Sequence, residues 1–210
     1  MESIFKLEKF LTADAMKQLV KKNGFSVVNE PPAELNETFA YYKDRLKAAS
    51  QAPYILSEEE RIQLKVPVSE EEFYTMEWVV PKLEYLVSKE KLSKTVISID
   101  RLKSSIQQAK GGKLKNRQSS VDESVLIAFY PPISSKYVIL KGVDKAIRLS
   151  DSGAESMDAY VLEPYIHLQG TAAPIHRTLF AIHYNHSLLC SYIAGKLPMD
   201  ELETRIFPVY

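Results

Sequence analysis

The residues best suited to chemistry cluster near the C-terminus. All four histidines, His167, His176, His183 and His186, fall within a span of twenty residues, and the single cysteine, Cys190, follows closely. A helix starting at Pro174 places Ile175, Leu179, Ile182, Leu189 and Ile193 on one apolar stripe. His186 projects within that stripe, while His176, His183 and Cys190 share its flank. His183 and Cys190 lie two turns apart on one side, so imidazole and thiolate ligands for a zinc-like ion are geometrically conceivable. No Glu completes an H-E-x-x-H pattern, and one straight helix seldom supplies a full ligand set. The bland alternative is a set of partly buried histidines satisfied by hydrogen bonds.

A second group of residues could hold phosphate. From Arg101 to Val121 the chain carries Arg101, Lys103, Lys110, Lys113, Lys115 and Arg117, and no acid. Cations on a glycine-containing segment can follow a phosphate backbone without reading sequence. No aromatic is interleaved with them, so stacking on single strands is not suggested. Further along, Gly142 stands between a strand and a helix, flanked by Lys141, Lys145 and Arg148. Free N–H groups at a helix start attract anions, and these three cations would add to the grip. The competing reading is that Gly142 only turns the chain and that Asp144 pairs with Arg148 at i, i+4.

The elements that must position these residues follow from pattern. "TADAMKQLVKKNG" reads as a helix with Ala15, Leu19 and Val20 on one side and Gly24 as its cap. "FSVV" is short and β-prone. After two prolines, Leu35, Phe39, Tyr42 and Leu46 line a second helix. Seven Glu residues fall between Ser57 and Glu77, against Arg61 and Lys65. Two Ser-Glu-Glu-Glu runs, Ser57–Glu60 and Ser69–Glu72, read as capping boxes that start helices. The second helix runs from about Glu70 through Leu92, with Pro81 kinking or dividing it and Phe73, Met76, Val80, Leu83 and Val87 as its stripe.

The texture then changes. Val96, Ile97 and Ile99 read as a strand, and Asp100 as the cap of a helix with Leu102 and Ile106 inward. "GGKLKNRQSS" reads as a basic loop, "SVLIAFY" and "KYVILKG" as strands, residues 143–152 as a short helix and "MDAYVLEP" as a last strand. The helix from Pro174 has Thr171 as an upstream cap, and "MDELETRIF" forms a final one.

This order of strand, helix, two strands, glycine, helix, glycine and strand over residues 94–164 resembles the ParB/sulfiredoxin-like fold. "VISIDRLKSSI", "YVILKG", "VDKAIRLSDSG" and "MDAYVLEP" carry the resemblance, over a third of the chain. In ParB proteins the glycine is followed by Glu-Arg-Arg, which grips a nucleotide triphosphate; here Gly142 precedes Val143, Asp144 and Lys145. Sulfiredoxins place a reactive cysteine at the position of Val143. The resemblance therefore implies the fold without either family chemistry. Modules of this kind are common in phage and mobile-element proteins.

At 210 residues with no net charge, composition favours neither nucleic acid nor membrane as a whole. One cysteine excludes an intrachain disulfide framework and fits a reducing, cytoplasmic setting. No apolar run is long enough to span a bilayer, and no P-loop, G-x-S-x-G elbow or dinucleotide fingerprint is present. The expected fold is α+β: a mostly helical region 1–92, a ParB-like module 93–166 with a small mixed sheet, and C-terminal helices 167–210. The expected function is non-catalytic binding of nucleic acid or a phosphate-bearing ligand, with no cofactor. A protein-interaction factor, in which a tyrosine-rich surface meets a partner or second copy, and a metal-dependent enzyme using the histidines are the alternatives.

Overall fold

A computed structural model describes residues 7–52, 60–68, 73–110, 124–133 and 135–209. The chain forms mixed α and β structure and gathers into two compact units. The first comprises Met1–Pro53, Val66–Tyr74 and Ala173–Tyr210; the second comprises Tyr54–Lys65 and Thr75–Ala172.

In the first unit, α1 (Ala13–Lys22) starts where Thr12 Oγ1 accepts from the Ala15 amide at 3.1 Å. It stops where Gly24 adopts φ 79°, as the Lys-Lys-Asn-Gly ending predicts. The buried positions are Met16 and Val20, so the core-facing side is turned slightly from the predicted Ala15–Leu19 side. In α2 (Leu35–Gln51) the predicted stripe of Leu35, Phe39, Tyr42 and Leu46 is buried. A long helix, α7 (Pro174–Ile193), packs against α1, α2 and the short α8 (Met199–Arg205). It is buried on almost every side: Phe180, Ala181 and Leu188 are interior along with the predicted apolar stripe. Its N-cap is Ala173, which has no side chain to cap with; Thr171 instead donates its hydroxyl to Leu168 O at 2.8 Å. The β-prone Phe25–Val28 forms no strand. Instead the Val28 and Asn29 amides donate to Ile193 O at 2.8 and 3.1 Å, covering the end of α7.

The largest correction concerns the glutamate-rich stretch. Arg61–Pro67 is a strand, β1, and Phe73–Val79 is its hairpin partner, β2. Ile62, Leu64 and Val66 bury on alternate positions, as do Tyr74, Met76 and Trp78. An apolar residue at every third or fourth position looked helical, but β-branched and aromatic side chains favour the pleat. Pro81 does not kink a helix; it sits in the first turn of α3 (Val80–Lys89), where its missing N–H costs nothing. The capping serines themselves, Ser57 and Ser69, lie outside the described residues.

The rest of the second unit follows the predicted order: β3 (Thr95–Ser98), α4 (Ile99–Lys110), β4 (Leu126–Phe129), β5 (Tyr137–Lys141), α5 (Val143–Asp151), β6 (Ser156–Leu162) and a short α6 (Pro164–His167). Ser98, not Asp100, opens α4: its Oγ accepts from the Asp100 amide at 3.3 Å, and Asp100 lies in the first turn. The strands form one sheet in the order β3-β6-β4-β5, with β6 antiparallel to β3 and parallel to β4. Leu102 and Ile106 of α4 and Val143 and Ala146 of α5 pack with Ile97, Ile127, Ile139, Met157 and Ala159 into one core. The outward edge of β5 is closed by α4, because buried Ser105 accepts from the Ile139 amide at 3.0 Å.

Candidate functional site

All four histidines are buried by the fold. His167 is wholly buried in the second unit, where Trp78 Nε1 donates to its Nδ1 at 3.4 Å and its Nε2 lies 3.0 Å from Phe129 O. An indole nitrogen only donates and a carbonyl only accepts, so the ring carries its proton on Nε2 and is neutral. Tyr130 stacks on it and Trp78 meets it edge-on. Burial lowers its pKa to about 4, against a smaller upward pull from Phe129 O.

In the first unit, His183 Nδ1 is 3.0 Å from Tyr74 Oη, and burial, with His186 nearby, lowers its pKa to about 3. His186 is pushed down to about 4 by burial, which the Phe10 main chain offsets in part. Its Nδ1 lies 3.9 Å from Cys190 Sγ. Burial pushes the Cys190 thiol up to about 12, so this neighbour pair is a neutral thiol beside a neutral ring, not a thiolate–imidazolium couple. His176 is buried as well. Among the described residues, no three His, Cys, Asp or Glu side chains converge on a point that could hold a metal ion.

The cations are arranged differently. With α4 and α5 packed on the sheet, Arg101, Lys103, Lys110 and Arg148 remain exposed to solvent. Lys103 pairs with Asp100 and Lys110 with Asp151, both at 2.6 Å and both solvent-exposed. Exposed pairs of this kind contribute about 0–1 kcal/mol, so a phosphate can displace them. Arg101 Nη1 reaches Tyr137 Oη at 3.4 Å. Arg148 has no ion-pair partner among the described residues, and the anticipated pairing with Asp144 is not formed. Lys113, Lys115 and Arg117 lie outside the described residues.

The helix start at Gly142 has its own explanation. Gly142 has φ 76°, which L side chains avoid, and a Cβ there would stand 2.8 Å from Val125 Cγ2. The glycine serves both the turn and a close chain approach. Lys141 is only 17% exposed and is held by Glu84 of α3, so its ammonium points into that pair. Lys145 is half-buried on α5. Sequence spacing thus grouped Lys141 with Arg148, whereas the fold holds Lys141 against Glu84 and leaves Arg148 exposed.

Two polar sites gave no motif in the sequence. Arg61 and Glu77 face each other across the hairpin at 3.2 Å with little exposure, and burial holds the Glu77 carboxyl above its ordinary range although the guanidinium pulls the other way. Asn185 is fully buried in the middle of α7. An asparagine inside an apolar helix was the available signal for that one, since it is disfavoured there without a partner.

Among the described residues, no helix is long and apolar enough to cross a membrane. No protein-family model, curated protein or solved structure matches this chain.

Proposed function

We propose that the second unit is a degenerate ParB-like module that binds nucleic acid through the phosphate backbone, without catalysis, using the outer side of the α4–α5 layer. One observation carries this reading: two helices side by side present Arg101, Lys103, Lys110 and Arg148 to solvent. Over Ile99–Lys110 and Val143–Asp151 there are five cations (these four and Lys145) against three acids (Asp100, Asp144, Asp151), a balance of +2. The chain continues from α4 directly into Lys113, Lys115 and Arg117, which adds three more. Neither helix bears an exposed aromatic, so the mode is backbone contact and not base stacking. The order β3-α4-β4-β5-α5-β6 supports the family reading, and Val143 and Asp144 remove the groups that would grip a triphosphate.

Salt titration tests it. Affinity for a short DNA or RNA duplex falls as salt rises, by a slope of about 0.9 per phosphate neutralised on B-DNA. Combining Arg101→Ala, Lys103→Ala and Arg148→Ala lowers the slope by up to about 3 and weakens binding uniformly across sequences. Lys141→Ala leaves binding unchanged. Binding that is absent, or insensitive to salt, sinks the reading.

A protein-interaction role has a specific observation of its own. Tyr85, Tyr165 and Val96 of the same unit are 64–73% exposed. Tyr85→Ser and Tyr165→Ser would leave salt-dependent nucleic-acid binding intact; loss of that binding in these variants, with the fold retained, would move the site away from α4–α5.

A further inference from the structure

The C-terminal tail of the first unit is held the way a docked peptide is held. Asn185 pairs with the Phe207 main chain in both directions: its Oδ1 accepts from Phe207 N and its Nδ2 donates to Phe207 O, each at 2.7 Å. The same Nδ2 donates to Tyr42 Oη at 2.9 Å, which fixes the amide's orientation. Tyr41 Oη donates to Val209 O at 2.7 Å. The Phe207 ring lies edge-on to Phe180 and Tyr184, at 5.5 and 6.1 Å, and these two are stacked with 7° between their planes. Val209 is buried and Pro208 is exposed. Three main-chain atoms and one aromatic ring therefore carry the recognition, in a groove lined by Tyr41, Tyr42, Phe180, Tyr184 and Asn185.

The segment leading to the tail is anchored at a few points, by Leu197, by Leu202 and by Lys196 Nζ over the Phe25 ring. Gly195 ends α7 with φ 71°, and between Gly195 and Arg205 only Leu197 and Leu202 are buried. With Leu202 keeping α8 in place, the exposed residues 203–206 let the Phe207–Val209 tail leave its groove at a cost set mainly by the docking contacts themselves.

We propose that this α2–α7 groove is a self-recognition site, which accepts the Phe207–Val209 tail of a second copy through the contacts it makes in cis. The occupant follows from the only sequence seen to fit: every copy carries one groove and one matching tail, and exchange needs no new contact. In dilute solution the tethered tail wins, because its effective concentration is on the order of millimolar. Exchange therefore becomes visible when each copy's own closure is disabled.

The test is a complementing pair of full-length variants. Phe207→Ala keeps the groove and spoils the tail; Asn185→Ala keeps the tail and spoils the groove. Each alone is monomeric by light scattering, and their mixture forms a heterodimer at least tenfold tighter than either variant with itself. Adding Phe207→Ala to the Asn185→Ala partner abolishes it. A mixture that stays monomeric at hundreds of micromolar, with both variants folded, overturns the proposal. If either variant fails to fold, a synthetic peptide of residues 205–209 decides instead. Its addition to Phe207→Ala raises the melting temperature by several degrees or restores the fold; no shift means that the tail is a fixed part of the unit and not a docked segment.

Discussion

The interior of α7 and the outer side of the α4–α5 layer make opposite use of their polar residues. On α7 the side chains with the richest chemistry, His183, His186 and Cys190, are driven toward their neutral forms by burial. On α4 and α5, Arg101, Lys103, Lys110 and Arg148 are exposed, and Lys103 and Lys110 form solvent-exposed pairs. Chemical capacity and accessibility are thus separated: the types that motif reasoning favours are where a ligand cannot reach, and the undistinguished types are where it can.

Acid should expose the contrast most strongly. The rings of His167, His183 and His186 have folded pKa values of about 4, 3 and 4, below the value of about 6.5 expected when unfolded. Above pH 6.5 both states are neutral at these rings and their contribution to stability is complete. As pH falls from 6.5 toward 4, the unfolded chain takes up protons that the folded chain refuses, and stability is lost. Each ring contributes on the order of 3 kcal/mol to that loss. The first unit holds two of the three rings, so it should unfold at the higher pH. The chain's one tryptophan, Trp78, lies beside His167 in the second unit and serves as its probe. Far-UV circular dichroism should therefore change before Trp78 fluorescence on lowering the pH; the reverse order breaks the comparison.

Next in size is the buried pair of the hairpin. Glu77→Ala breaks the little-exposed Arg61–Glu77 pair and is expected to lower stability by about 3–5 kcal/mol in urea unfolding. By contrast, Arg101→Ala, Lys103→Ala and Arg148→Ala each shift stability by no more than about 0.5 kcal/mol. A similar cost at both places would show that the outer cations are structural.

Gly142→Ala should fall between these limits, at about 1–3 kcal/mol, because it combines a positive φ with a contact to Val125. A neutral result would mean that the helix start can shift, and would reopen the anion-grip reading of that turn. The smallest expected signal is at Cys190. With its thiol pushed up to about 12, it should resist alkylation at pH 8 in the native protein and react on addition of denaturant. Fast native alkylation would place a usable thiolate on α7.

Legibility in the sequence varied with how local the determining physics is. The α2 stripe and the Gly24 stop were readable because i, i+4 spacing and a left-handed cap are local. The order of strands and helices from Thr95 to Leu162 was readable for the same reason. Phe73–Val79 was misread because its residues satisfy periods of both 2 and 3.6, and only the partner strand β1 decides between them. Among candidate site residues, exposure of Arg101, Lys103, Lys110 and Arg148 follows from helical phase. The capture of Lys141 by Glu84, fifty-seven positions away, follows from nothing local.

The sequence by itself determined the buried stripe of α2, the stop at Gly24, the order of strands and helices from Thr95 to Leu162, where Gly142 must break the chain, and which stretch carries excess positive charge. Those properties depend on neighbours a few residues apart. Only the tertiary structure decided that β6 inserts between β3 and β4, that α7 is enclosed on nearly all sides, and that its histidines lie buried. Desolvation depends on everything packed around a group, and residues distant in the chain supply most of that packing.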